Sequence, residues 1–301
     1  MAEKIPVIES SNDPYKWCKE LEKGNILFFP EIPFSFPKEE IQFLLNQRQG
    51  SSKGRKNIAY KPAVDKVTNH VGVSPEDAVE MHSVLRNYSN RVTEFLTTLL
   101  APYSDKWKLD YASFCPFQEK GRSLRTRARN DLLYVDSFPT RPMHGGRILR
   151  FFTNINPEES HKWITSSSFK DLVEKFGGKE VPFPRGEKFS LKEKLMTKMK
   201  KGLKKLGFKV TFRSPYDRFM LQMHHFMKEN GEFQKNTPKD HWEFPPNSCW
   251  MVFTDQVSHA ALSGRYALEQ TFFIPRNALL HPEEAPVSVL ERLTGASMVN
   301  H

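Results

Sequence analysis

The chain has 301 residues, 38% of them hydrophobic and 27% charged, and a formal net charge of +10. This composition excludes a disordered or fibrous chain and gives enough length for a large core, while the basic balance points to an anionic partner such as nucleic acid, a membrane surface or an acidic small molecule. No apolar run approaches the ~18 residues of a membrane span, the first residues lack the pattern of a secretory signal, and Cys18, Cys115 and Cys249 have no disulfide or zinc spacing, which fits a reducing compartment.

Residues 1–110 read as a mostly helical N-terminal region that packs on a core. Its best helix is "SPEDAVEMHSVLRNYSNRVTEFLTTLLAPY". Ser74 is a good N-cap, Pro75 suits the first turn, and Val79, Val84, Val92, Phe95 and Leu99 recur at roughly helical spacing. From residue 111 to 301 the texture is β-rich. The runs "YASFCPF", "DLLYVDSF", "RILRFFTNI", "KVTFRS", "SCWMVFTDQ" and "ALEQTFFIP" are separated by Pro, Gly and Asn. This predicts an α+β chain, mainly β, whose core is an antiparallel barrel or jelly roll. A helical insert falls near residues 160–230. Within it, "GEKFSLKEKLMTKMKKGLKKLGFK", residues 186–209, carries nine lysines and a Leu/Met stripe. It reads as a basic amphipathic helix, which either packs on the core or docks to an anionic membrane.

A mononuclear non-haem iron site takes two histidines and a carboxylate on one face of the ion, leaving positions for a co-substrate and oxygen. A His and an Asp two apart on a strand supply two of those three ligands, because alternate side chains share a face. In "DLLYVDSFP" the spacing is present as Tyr134 and Asp136, and His259 follows the apolar strand "CWMVFTD" much later. The competing reading is a turn Asp and a loop His making local hydrogen bonds.

Three longer stretches, "DLLYVDSFPTRPMHGGRILRFFTNINPEE", "SPYDRFMLQMHHFMKENGEFQ" and "EFPPNSCWMVFTDQVSHAALSGRYALEQTFFIP", resemble the bacterial Kdo hydroxylases. That family consists of Fe(II)- and 2-oxoglutarate-dependent dioxygenases acting on the outer 3-deoxy-D-manno-oct-2-ulosonic acid (Kdo) sugar of lipopolysaccharide. The resemblance covers roughly residues 105–280. It implies a double-stranded β-helix with helical additions, Fe(II), 2-oxoglutarate and O2 as cofactors, and conversion of C–H to C–OH. It also implies Kdo-lipid A as partner and a cytoplasmic location, peripheral on the inner face of the inner membrane. Asp136 and His259 match the family's ligand positions; Tyr134 stands where the family has His. A neutral phenol is a poor ligand, and a phenolate favours ferric iron. Tyr134 therefore ligates in a variant site, weakens the site, or is replaced by another histidine such as His144.

A buried co-substrate carboxylate needs a cation, and arginine suits it best. Arg147 and Arg150 lie on the strand after Asp136 and face opposite sides. Arg150 is the preferred partner for 2-oxoglutarate, with Asn154 on the same face, and Arg265 in the "LSGRY" turn is a weaker candidate. Arg125, Arg127 and Arg129 would form a one-sided basic comb if "GRSLRTRARND" were a strand. Arg127, Arg129, Arg141 and His144 are the candidate substrate-binding residues. Trp242 and Trp250 read as core, and Asp217 with Arg218 as a structural pair. A non-catalytic jelly roll that binds an anionic sugar-lipid is the alternative function. Nucleic-acid binding is disfavoured, because no stacking pattern accompanies the lysines.

Overall fold

A computed structural model describes residues 2–7, 13–47, 57–121, 123–184 and 212–299. The lysine-rich segment 186–209 and the first residues of "KVTFRS" lie outside the described residues. Two sheets face each other, antiparallel throughout except that β1 (Lys4–Pro6) runs parallel to β2 (Ile26–Phe29). The larger is built from β1 (Lys4–Pro6), β2 (Ile26–Phe29), β3 (Ile58–Lys61), β4 (Lys66–Thr68), β5 (Lys108–Cys115), β6 (Arg147–Asn154), β9 (Cys249–Phe253) and β11 (Ala267–Ile274). Their spatial order is β1-β2-β9-β6-β11-β5-β3-β4. The smaller sheet has β10 (Val257–Ser263) beside β7 (His161–Ser168), followed by β8 (Asp240–Phe244). Strands far apart in sequence pair directly, β6 with both β9 and β11, as a jelly roll requires.

The N-terminal region is not only helical, because β1 to β4 extend the larger sheet at both edges. Its helices α1 (Pro14–Glu22) and α3 (Pro75–Leu99) supply buried side chains to the same apolar core as that sheet. The Ser74 Oγ accepts from the Asp77 N–H at 3.0 Å, a cap that stabilises the helix by about 1 kcal/mol. Met81, Val84, Leu85, Tyr88, Val92 and Leu96 form its buried stripe. Val79, expected on that stripe, is 71% exposed. It stands two residues before the buried Met81, about 200° round the helix, and so on the opposite face from the stripe.

The alternation along β6 decides what faces where. Leu149 and Phe151 join the core shared with the helices, and Thr153 Oγ1 meets the Tyr88 hydroxyl of α3 at 3.1 Å. Burying one such aromatic ring contributes about 1.5–3 kcal/mol. The intervening residues, Arg150 and Phe152, face the space between the sheets, where Phe152 stacks on Trp250 at 5.2 Å. Trp250 also stacks on Phe244 at 4.0 Å, and Trp163 meets it edge-on at 5.5 Å. This aromatic cluster fills one end of the inter-sheet space and leaves the other end open.

Candidate active site

The stretch 131–139 is extended but forms no regular strand. Tyr134 makes a two-way bridge with His259, its N–H donating to the His259 carbonyl at 3.1 Å and its carbonyl accepting from the His259 N–H at 2.9 Å. The Asp136 N–H then donates to the Thr254 carbonyl at 2.8 Å. The segment thus runs along the free side of β10, and the two-residue spacing turns Tyr134 and Asp136 to the same side.

Asp136 is 4% exposed, and its Oδ2 lies 2.9 Å from the Arg150 Nε. Arg150 also reaches Glu269, with Nη1 at 3.0 Å from Oε2. Burial would raise the Asp136 pKa, but the charges of Arg150 and His259 more than offset it and hold the carboxyl below its usual range. For Arg150, burial opposes the charge, yet Asp136 and Glu269 raise its pKa above the ordinary arginine value. The His259 Nδ1 lies 2.9 Å from the Val257 carbonyl. That bond places the ring proton on Nδ1 and leaves Nε2 with its lone pair. Burial lowers the His259 pKa, and the ring stacks on Trp163 at 5.5 Å and 18°.

Tyr134 is held on three sides. Its ring lies 4.6 Å from that of His259 and 5.0 Å from that of His224, and the Lys228 Nζ sits 3.9 Å from its centroid. Burial and the nearby Asp136 push the phenol's pKa well above 10. His224 and Lys228 lie one helical turn apart on α6 (Pro215–Glu229). His224 pairs with the Val135 carbonyl at 2.9 Å, and burial lowers its pKa to about 4. Lys228 donates to the Arg129 carbonyl at 2.7 Å, and burial lowers its pKa to about 8.

Tyr134, Arg150, His161, Trp163, His259 and Glu269 line a cavity of about 80 Å³. Arg150 and Glu269 also line a wider cleft of about 950 Å³, flanked by Lys61, Arg125 and Arg141. A small pocket with a carboxylate and an imidazole thus opens into a large basic mouth.

The family model for 3-deoxy-D-manno-oct-2-ulosonic acid (Kdo) hydroxylase matches residues 6–297. The chain belongs to the Kdo hydroxylase family. Among solved structures it is similar to the Kdo hydroxylase KdoO, a non-haem Fe(II) α-ketoglutarate-dependent dioxygenase, in complex with α-ketoglutarate and Fe(III). That similarity has 31% identity and a TM-score of 0.81, and covers 99% of this chain and 97% of that one. The cobalt(II) complex of KdoO gives 32% identity, a TM-score of 0.82 and the same coverage. The succinate and Fe(III) complex gives 32% and 0.80, again with 99% and 97% covered. A comparison with curated proteins finds no match.

The metal of the Kdo hydroxylase family can be tested against these side chains. Asp136 Oδ2 is buried and accepts no aligned hydrogen bond, and His259 Nε2 is the unprotonated ring nitrogen; both are suited to a divalent cation. Tyr134 is not, because its phenol is neutral. Among the described residues no group of three His, Cys, Asp or Glu side chains is placed to hold a metal. Asp136 and His259 would thus offer a divalent cation two protein donors, and the neutral Tyr134 phenol adds no third.

The other candidates separate cleanly. Arg150 enters the site. Arg147 does not: it faces the helices, 1% exposed, with its Nε 2.8 Å from Asp255 Oδ2. The odd spacing of three puts it on the opposite face, and its charge is already matched. Asn154 shares the Arg150 face but lies at the far end of β6, where its amide donates to the carbonyls of Glu159, Phe244 and Pro245. Arg265 donates to the Pro116 carbonyl at 3.2 Å, away from the cavity. His144 sits outside the pocket at φ 50°, 3.3 Å from Asp217. Asp217 caps α6 through Ser214 and holds the backbone of Met143 and His144; it makes no pair with Arg218.

The basic comb does not form, because Thr126–Ala128 is a 3-10 turn. It sends Arg127 to Glu229 at 2.7 Å and Arg129 to Asp131 at 2.6 Å, and leaves Arg125 in the cleft. Arg141 lines the cleft too. His224, Lys228, Trp163 and Glu269 escaped the sequence reading. Two adjacent histidines followed by a lysine on an apolar helix were the signal for the first two, since a buried lysine is rare.

Proposed function

We propose that the chain hydroxylates a Kdo sugar of Kdo-lipid A in a reaction dependent on Fe(II) and 2-oxoglutarate. The observation that carries this reading is the buried Asp136 carboxylate, ion-paired to Arg150, in one site with a His259 ring whose Nδ1 is bonded and whose Nε2 keeps its lone pair, in a chain of this family. Asp136 and His259 would hold the iron, and Tyr134 packs against His259 beside them. Bound iron with 2-oxoglutarate and O2 supplies the oxidising power: one oxygen atom enters the sugar C–H bond, and the other leaves in succinate, with CO2 released. Arg150 would hold the distal carboxylate of 2-oxoglutarate. Glu269 keeps the Arg150 guanidinium aimed into the cavity at 3.0 Å. Trp163, His161 and Trp250 keep water from the closed end. Lys61, Arg125 and Arg141 attract the anionic sugars into the cleft.

The lipid-anchored substrate requires the protein to visit an anionic membrane, for which the lysines of 186–209 are the sequence motive. The test is an anaerobic Fe(II) titration with 2-oxoglutarate, followed by turnover on Kdo-lipid A in anionic vesicles at low and high salt. A charge-transfer band, succinate formed in step with hydroxylated Kdo, and weaker vesicle binding at high salt are expected. Absence of both the band and succinate formation sinks the enzymatic reading. A second reading is favoured by Tyr134 alone: a binding protein for the same anionic sugar-lipid that has no metal. It predicts glycolipid binding without Fe(II) affinity.

A further inference from the structure

The strands that build the site continue beyond it. Ser113 of β5 lies opposite Glu269 of β11, and a register shift between Gln270 and Phe272 then brings Lys108 opposite Phe273. Cys115 and Glu269 line the His259 cavity. Tyr111, Ser113, Glu269 and Thr271 line the wide cleft. Leu109, Tyr111 and Phe273 line a third cavity, of about 460 Å³. Ser113 and Glu269 are common to the first cavity and the cleft, and Tyr111 and Arg141 to the cleft and the third cavity, so the three adjoin in a row that leads away from the reacting end.

The third cavity is amphiphilic. Leu109, Phe273, Ile274, Pro142 and Met143 make its walls apolar. Lys106 and Lys108 also line it, and both are exposed. Neither forms an ion pair among the described residues. The acid in the cavity, Asp110, is already matched by Arg141. Arg141 itself lies over the rings of Tyr111 at 4.3 Å and Phe138 at 4.1 Å, at the junction of cleft and cavity. Two unmatched cations beside an apolar wall suit a ligand carrying a phosphate next to hydrocarbon. The cavity lies within the ~300–1,000 Å³ range of ligand sites.

We propose that this third cavity is a subsite for the phosphate-bearing, acylated sugar end of the substrate, with Lys106 and Lys108 taking the phosphate and the Leu109–Phe273 wall taking the first part of an acyl chain. The subsite rests on the function proposed above, and selects the substrate by the end that does not react. It orients an elongated glycolipid along β5 and β11, so that its distal sugar reaches the Tyr134–His259 pocket.

The experiment measures binding without turnover. The full chain, in EDTA and neutral detergent micelles, is titrated with Kdo-lipid A and with its dephosphorylated form. The parent is expected to bind the phosphorylated form at least tenfold more tightly. The exposed double variant Lys106→Glu/Lys108→Glu is expected to lose that preference. Lys170→Glu/Lys179→Glu, of equal charge change, with Lys170 on the helix Phe169–Phe176 and Lys179 in the turn after it, lines none of these cavities and should retain it. Equal parent affinity for the two ligands, a preference that survives Lys106→Glu/Lys108→Glu, or its equal loss in the control pair each overturns the subsite. Succinate formation is assayed separately. A phosphate preference without turnover would overturn the proposed function and leave the subsite standing; turnover without the preference would do the reverse.

Discussion

Tyr134→His is the substitution that separates a metal site with one position blocked from a site that has lost its metal. The parent offers Asp136 and the Nε2 of His259, and a neutral phenol between His259 and His224. Losing only an outer hydrogen-bond partner of a ligand costs metal affinity 10–100-fold in other sites, so a new direct donor should gain at least about 100-fold, or ~2.7 kcal/mol. The substitution also removes the ring beneath the Lys228 ammonium, 3.9 Å away. A desolvated cation–π contact is worth ~0.5–2 kcal/mol, so the metal-free variant should unfold at lower urea concentration than the parent. Saturating metal then reverses the order: ligand at 100 times its dissociation constant stabilises by about 2.7 kcal/mol.

The assay is anaerobic titration with Fe(II), and with Co(II) as an optical reporter, alongside urea unfolding with and without metal. Tyr134→Phe is the control. It keeps the ring under Lys228 and removes only the hydroxyl, so its metal affinity should equal that of the parent. The reasoning is refuted by a Tyr134→His variant with parental affinity and no added metal stabilisation. Loss of affinity in Tyr134→Phe would instead make the phenol oxygen a ligand.

Arg150→Ala should weaken 2-oxoglutarate binding by ~2–5 kcal/mol in equilibrium dialysis with metal present, whereas Arg147→Ala, which strips Asp255 of its partner, should destabilise by ~3–5 kcal/mol in urea and leave the co-substrate affinity of the folded protein unchanged. Equal co-substrate affinities in the two variants would rule out the assignment of Arg150. His161, buried with its Nε2 at 3.0 Å from the Arg265 carbonyl, has its pKa lowered by burial from 6.5 to about 4. Its folded pKa lies below its unfolded one, so the unfolded state binds the extra proton first and stability falls as pH drops through 6.5 toward 4. Between pH 7 and pH 5 the parent should lose about 2 kcal/mol more than His161→Gln, measured by urea unfolding at both pH values. Parallel losses would show that His161 titrates alike in both states.

The sequence by itself determined what depends on local period and chain chemistry. The Ser74 cap and the apolar stripe define α3; the apolar runs define β6, β9 and β11. The two-residue step from Tyr134 to Asp136 puts both side chains on one side, even though the segment is a single bridge against His259 rather than a regular strand. The same rule of alternation placed Arg147 and Arg150 on opposite faces. Tertiary structure decided the rest, because it depends on partners distant in the chain. Asp255 removes Arg147 from contention, and the turn carbonyls consume Asn154. The 3-10 turn at Thr126–Ala128 disperses the arginine comb to Glu229 and Asp131. His224 and Lys228 reach Tyr134 only because α6 lies across the open side of the site. No periodicity announces that contact, and burial, which lowers the pKa of both groups, exists only once the helix has docked.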